Sequence, residues 1–433
     1  MAYEEDTITP RRLPDGTVEI AKYSEISNGI LDGPLTIPDV INGNKVVSVG
    51  ARAFENCLSI GAIRLPASVR SIGEAAFSCC RRLRSIDAPG DNLATISAAA
   101  FADCSALKNV ELGRPSEIGE RAFENCRSLT EILFATEART IGAGAFSNCT
   151  ALEEARLRGV EEIEPGAFNR CANMCRIKLP SQLRAIRRCA FTGCVALAEL
   201  ELPSSLEEID ARAFEGCLAL GAVTLPNRVA RLGERAFAKC YALRQVKLSS
   251  RLTTIPESAF SECFSLTSIK VPRDVQTIEK FAFEKCYALA VADLPDATRE
   301  IQEGAFSKCV SLAEVAITDS LSSLGYASFG FCDRLHEDYV DSISRTPGGR
   351  DALEVYQEDA DAFSESEEPD EVAEQNGGEG DDLYNLGYND GFQEGHAQGL
   401  AQGYAQGYKV GAASANGVSG GFSQNPRRRR RPR

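Results

Sequence analysis

The string RAFENC stands at Arg52–Cys57 and again at Arg121–Cys126, 69 residues apart, which is three times 23. Alignment on its phenylalanine gives Phe54, Phe77, Phe101, Phe123, Phe146, Phe168, Phe191, Phe214, Phe237, Phe260, Phe283, Phe306 and Phe329, thirteen copies at spacings of 22 to 24. Alanine precedes each phenylalanine except the last, where Ser328 stands, and cysteine follows each at the third position, from Cys57 to Cys332. A period of this length restricts a chain to repeat architectures, because one unit cannot bury its apolar face and a stack of units can.

Within the unit, apolar and polar residues alternate as L-x-x-I-x-L, the mark of a strand with one buried face. One complete copy runs through Ala213, Phe214, Cys217, Leu220, Val223, Leu225, Pro226, Val229, Leu232 and Gly233. Proline ends the strand, and the I-G pair reads as a turn ahead of an A-F-x-x-C coil or helical turn. Rungs spaced by about 4.8 Å would stack the phenylalanines as one interior ladder and the cysteines as another. Thirteen of the 16 cysteines are then small core-filling side chains. Cys79, Cys175 and Cys189 lie off this ladder. Cys171, Cys175, Cys189 and Cys194 have a spacing at which four thiolates could bind zinc. The repeat already requires Cys171 and Cys194 on different rungs, so the reading favours thiols and assigns no metal.

The pattern IG-x-x-AF-x-x-C-x-x-L-x-x-I-x-LP resembles the BspA-type leucine-rich repeat over residues 10–340, and Leu13–Ile20 and Gly43–Gly50 resemble that family's N-terminal lead-in. The resemblance implies a binding scaffold, since members are mostly surface or secreted interaction proteins, bacterial adhesins among them. The fold expected is a β-rich leucine-rich-repeat solenoid of thirteen repeats of about 23 residues, followed by a disordered acidic linker and a short glycine-striped helix or coil. The boundaries expected are an N-terminal cap over 1–48, the solenoid over 49–340, the linker over 341–383, a glycine tract over 384–413 and an arginine-rich tail over 414–433.

Net charge is −15, but Asp351–Asp382 alone carries fourteen acidic residues and no Lys or Arg. The acidity therefore belongs to one segment, which reads as a self-repelling linker. Beyond it, Gly387, Gly391, Gly395, Gly399, Gly403, Gly407 and Gly411 recur every fourth residue, beside Tyr388, Phe392, His396, Leu400, Tyr404 and Tyr408. Such a stripe allows close backbone packing, and it resembles helices of flagellar and type III export-ATPase regulators, which implies self-association or docking. A flexible low-complexity coil is the other reading. Arg427, Arg428, Arg429, Arg430 and Arg431 are candidates for non-specific polyanion contact, with nucleic acid, an anionic membrane or the chain's own acidic segment.

Partner contacts are expected at outward positions flanking the buried strand residues: Arg64, Glu111, Arg156, Arg176, Lys178, Glu199, Glu201, Lys247 and Lys270. Their mixed signs suit a protein better than a uniform polyanion. With two histidines, no phosphate loop and no nucleophile elbow, the sequence predicts a non-enzymatic scaffold without cofactor. The N-terminus holds no apolar stretch of signal-peptide type, and no run reaches 18 apolar residues. Together with unpaired buried cysteines this predicts a cytoplasmic protein, a cell-surface or secreted one being the alternative.

Overall fold

A computed structural model describes residues 7–24, 31, 33–132, 138–157 and 159–354. Each repeat forms one rung. A three-residue strand such as Ala222–Thr224 leads through a proline turn to a two-residue strand such as Arg231–Leu232, and an A-F-x-x-C coil follows. The proline carbonyl closes the turn, as where the Val229 amide donates to Pro226 at 3.0 Å. The leucine-rich-repeat solenoid expected from the sequence is thus the fold observed, with one addition. The I-G segment, read as a turn, contains a second strand in every rung, and its inter-rung pairing is the more continuous of the two.

That second ladder runs unbroken in parallel register from Ser48–Val49 to Arg231–Leu232, and again from Thr254–Ile255 to Ser323–Leu324. Its interruption has a chemical cause. The residue after the strand normally donates its amide to the preceding rung, as Gly233 does to Ile209 at 2.8 Å. Pro256 occupies that position in the rung after Leu232 and has no N–H. Six rungs keep the glycine of I-G, and there it stands in close contact with the rung before, while Ser97, Glu164, Arg187, Asp210, Pro256, Glu279 and Gln302 take the position in the other seven. A Cβ on Gly233 would fall 2.2 Å from the Ala211 nitrogen, so rungs could not approach as closely there.

The coil explains why phenylalanine and cysteine recur. In the rung of Phe214, the amides of Arg212, Phe214 and Gly216 donate to the carbonyls of Glu234, Ala236 and Ala238 in the next rung, at 2.8, 2.8 and 2.9 Å. Pointing alternate amides the same way needs left-handed backbone on both sides of the phenylalanine. All 26 flanking positions have φ between 48° and 72°, and only five are glycine. Each of the others costs on the order of 1 kcal/mol. Net hydrogen-bond gains of about 1 kcal/mol each and burial of the rings offset that strain. The thirteen rings are at most 1% exposed and stack with centroids 4.9 to 5.7 Å apart.

Each ladder thiol after the first donates to the phenylalanine carbonyl of the rung before it, from Cys80 to Phe54 at 2.9 Å to Cys332 to Phe306 at 3.2 Å. That carbonyl already accepts from its own rung's cysteine amide, as Phe214 does from Cys217 at 3.2 Å. Cysteine therefore supplies a small, apolar side chain with one weak donor, which suits the buried second lone pair. Burial pushes the thiols of Cys194 and Cys332 up to about 12.

The coil stack is polar, with amides aimed at the C-terminal end and carbonyls at the N-terminal end, so both ends need partners. At the start, β1 (Ile8–Arg12) pairs antiparallel with β2 (Val18–Tyr23), and β2 joins the second ladder at Asn44–Val49. Tyr23 then extends the aromatic stack over Phe54 at 5.2 Å and donates its amide to Ala53 at 2.7 Å. At the other end, α1 (Glu337–Arg345) and α2 (Gly349–Ala352) close the last rung. The carbonyls of Asp351 and Ala352 accept from Ala327 and Phe329 at 2.9 and 2.8 Å, while Ile343 and Ala352 are fully buried. The boundary expected at residue 341 thus falls inside a capping helix, and residues 341–354 belong to the folded body. Their helices lie outside the 23-residue period that located everything before them.

Thiol titration checks this core. The native chain should expose at most Cys79, Cys175 and Cys189, the three half-buried thiols, and all 16 after denaturation. More than three reactive thiols in the native state would show that the cysteine ladder is not closed.

Candidate functional site

Side chains at the outward positions of the three-residue strands form two columns along the solenoid. Arg64, Glu111, Arg156, Arg176, Lys178, Glu199, Glu201, Lys247 and Lys270 are all exposed on this face. Part of the alternation in sign is ion pairing within and between rungs. Arg64 meets Asp87 at 3.0 Å, Lys270 meets Asp293 at 2.7 Å, and Glu154 holds Arg156 at 2.8 Å and Arg176 at 4.0 Å. Exposed pairs of this kind contribute little to stability. Glu111, Lys178, Glu199, Glu201 and Lys247 make no ion pair among the described residues.

The strand face, unlike the second ladder, is broken into short sheets, and one break is of a different kind. Arg176–Lys178 ends one sheet, Ala222–Thr224 begins the next, and the intervening segment Glu199–Glu201 forms no strand. Among the described residues, Glu199, Leu200, Glu201 and Leu202 make no backbone hydrogen bond to either neighbouring rung. A surface depression of about 420 Å³ opens there, lined by Leu200, Glu201, Leu202, Ser204, Ala222, Val223, Thr224 and Pro226. It joins apolar walls, unpaired strand backbone and one carboxylate, with Lys178 one rung before it and Lys247 two rungs after. Such a place can hold a polypeptide chain through main-chain hydrogen bonds and a basic or donor group on Glu201.

On the second ladder, Arg187 replaces the I-G glycine and spans three rungs. Its guanidinium meets Glu162 and Glu208 at 2.9 Å and Asp210 at 3.8 Å, and Glu208 also binds Arg231 at 2.8 Å. The Glu162 hydrogen bond holds Arg187 further above its ordinary range. Burial first, and the neighbouring Glu208 second, hold the Asp210 carboxyl above the usual carboxylate range despite the arginine.

The cysteine spacing examined for zinc is not a cluster. Cys171 and Cys194 donate into the core to Phe146 and Phe168 at 3.2 Å, and Cys175 faces the Glu153 carbonyl at 3.6 Å. Among the described residues, no three His, Cys, Asp or Glu side chains are placed to hold a metal ion. His336 has a structural use, because its Nδ1 accepts from the Asp338 amide at 3.4 Å and caps α1. Gly387–Gly411, Arg427–Arg431 and the rest of 355–433 lie outside the described residues.

One group escaped the sequence reading. The residue directly after the ladder cysteine is aromatic in three successive rungs, and Tyr241, Phe264 and Tyr287 stack at 4.4 and 5.0 Å beside the phenylalanine core. The signal was present as C-Y-A-L, C-F-S-L and C-Y-A-L, at a position that is otherwise variable.

A family model described as BspA type leucine rich repeat region (6 copies) matches residues 24–153, 114–221, 161–289 and 207–336. A leucine-rich repeat protein from Bacteroides ovatus is similar over 80% of this chain and 98% of its own, at 28% identity and a TM-score of 0.61. A leucine rich cell surface protein from Faecalibacterium prausnitzii is similar over 72% of this chain and 94% of its own, at 27% identity and a TM-score of 0.48. No curated protein matches the chain. No described helix is long and apolar enough to cross a membrane.

Replacing Arg187 by alanine should lower stability at pH 7 by about 1 kcal/mol, with denaturant midpoints as the readout. A raised carboxyl pKa means that the charged form costs the native state, so this cost is present above the native pKa and relieved as pH falls. The deficit of the variant should therefore shrink on acidification through the carboxylate range, and a deficit that grows there would contradict the assignment.

Proposed function

Because the chain belongs to the BspA-type leucine-rich repeat family, we propose that it works as a non-enzymatic scaffold that binds a protein partner on its outward strand face. The observation that carries this reading is the gap at Glu199–Glu201. There the inter-rung pairing lapses, and a depression lined by Leu200, Leu202 and Val223 adjoins charged side chains that the fold does not use. Lys178, Glu199, Glu201 and Lys247 form the centre of the contact; Arg64, Glu111, Arg156, Arg176 and Lys270 are its outlying positions. A surface of both signs around an apolar centre selects a partner of complementary pattern rather than a polyanion.

In this reading the glycine tract, through Gly387, Gly391, Gly395, Gly399, Gly403, Gly407 and Gly411, aids assembly of copies. The arginines at 427–431 add non-specific contact with anions. The buried ladder cysteines do not bear on the compartment. As hydrogen-bonded core thiols, with burial pushing those of Cys194 and Cys332 up to about 12, they are shielded in a reducing or an oxidising medium, so the cytoplasmic expectation loses the cysteine premise it was given.

Affinity capture with the full chain and with the variants Glu201→Lys and Lys178→Glu tests the site. A partner held by this face should be weakened at least about tenfold by either reversal, or about 1.4 kcal/mol. Reversal of Glu279, on the second ladder, should leave it bound. Equal capture by all three variants would sink the strand-face assignment.

A further inference from the structure

Between the A-F-x-x-C coil and the three-residue strand, each rung turns a corner through the four residues that follow the ladder cysteine. The third of these is apolar in every rung and fills the core, so the other three are free to vary. In the rungs of Phe77, Phe101 and Phe123 they include Arg81, Arg82, Arg84, Lys108 and Arg127, all exposed, and no acid. In the seven rungs from Phe168 to Phe306 the same positions hold one charged residue, Arg244. The corner therefore has no need of charge to fold, and five like charges within three rungs repel one another.

None of the five cations has an ion-pair partner among the described residues. The acids next to them in the chain are engaged elsewhere: Asp87 meets Arg64 at 3.0 Å, and Asp103 accepts from the Asn125 amide side chain at 3.0 Å. Glu111 stands on the strand face, beyond Lys108.

The register of the rungs arranges the cations around a strip of small residues. The Arg84 carbonyl accepts from the Lys108 amide at 2.9 Å, and the Ser105 carbonyl from the Ser128 hydroxyl at 2.8 Å, so the three corners are contiguous. Arg81 and Arg127 share one column two steps apart, or about 10 Å. Between them stand Ser105 and Ala106, short and half-buried. Long guanidinium arms thus flank a low floor on both sides, and Lys108 stands at its end.

An extended polypeptide laid along this floor sends successive side chains to opposite sides. A run of Asp or Glu would meet Arg81 and Arg82 on one side and Arg127 on the other. Guanidinium forks bind carboxylates bidentately, and arginine clusters are a recurring means of holding acidic motifs. No aromatic residue stands at these corner positions to stack on a base, and a bilayer is too broad to enter between the two rows.

We propose that this corner binds an extended acidic segment of a partner protein, through Arg81, Arg82, Arg84, Lys108 and Arg127. It is a second surface, and it does not depend on the gap at Glu199–Glu201.

Fluorescence anisotropy of a labelled octaglutamate peptide in about 0.1 M salt tests the assignment. The protein is the full chain carrying Arg427→Ser, Arg428→Ser, Arg429→Ser, Arg430→Ser and Arg431→Ser, which removes the other arginine cluster from the reading. The peptide should bind, and Arg81→Ala, Arg82→Ala and Arg127→Ala combined should weaken it at least about tenfold. Arg244→Ala, Arg273→Ala and Arg334→Ala combined remove the same charge elsewhere and should leave it bound. All six arginines are exposed, so both triple variants should keep the denaturation midpoint of the parent. Failure of the peptide to bind, or equal losses in the two triple variants, would overturn the proposal. Tighter binding of octathymidylate or of phosphatidylserine vesicles, lost with the same three arginines, would overturn it as well and assign the corner to nucleic acid or to a membrane.

Discussion

Alternate amides of each A-F-x-x-C coil donate to the next rung, and the other contacts of the solenoid are arranged around that constraint. It demands left-handed backbone on both sides of the phenylalanine, at positions filled by Arg, Asn, Lys and even Phe281 and Phe331. Strain at so many sites persists only where the surroundings over-determine it. Here the stacked rings, the thiol bonds to the preceding carbonyls and the close glycine contacts of the second ladder all fix the same spacing. The polarity of the coil also accounts for the two different caps. The N-terminal end offers carbonyls and is met by Tyr23, while the C-terminal end offers amides and is met by the carbonyls of α2.

Much of this could be read from the sequence, for a physical reason. Residues that must meet their copies in the next rung repeat most strictly: Phe and Cys do so in all thirteen rungs, and the buried Leu and Ile positions stay apolar throughout. What could not be read depends on distances between rungs. Glu199–Leu200–Glu201 alternates as well as any other strand, yet it pairs with neither neighbour. The strand before I-G is two residues long, too short for alternation to show. The left-handed positions carry ordinary residues in place of glycine, so composition does not mark them. Residues 337–354 sit outside the period and merge into an acidic run, which hid two capping helices. The aromatic stack of Tyr241, Phe264 and Tyr287 stands outside the alternating strand columns, so strand periodicity does not mark it.

The same division separates structure from function along the chain. Columns that repeat strictly are consumed by the core, while columns free to vary build surfaces, and the variation is regional. Charges left unpaired gather around the gap at Glu201, and the aromatic column occupies Tyr241 to Tyr287. A solenoid allows this, because each rung contacts only its neighbours and its outward residues can change without disturbing the stack.

Amide hydrogen exchange, resolved by residue, measures the central claim that inter-rung bonding is complete along the coil and absent at one segment of the strand face. The amides of Phe191, Phe214 and Phe237, each bonded to the next rung at 2.8 to 2.9 Å, should be among the slowest to exchange. Those of Leu200, Glu201 and Leu202 should exchange faster by orders of magnitude, although their rung is flanked on both sides by intact ones. Equal protection of the two sets would contradict the account, since it would mean that the strand face is closed at Glu201 and offers no site there.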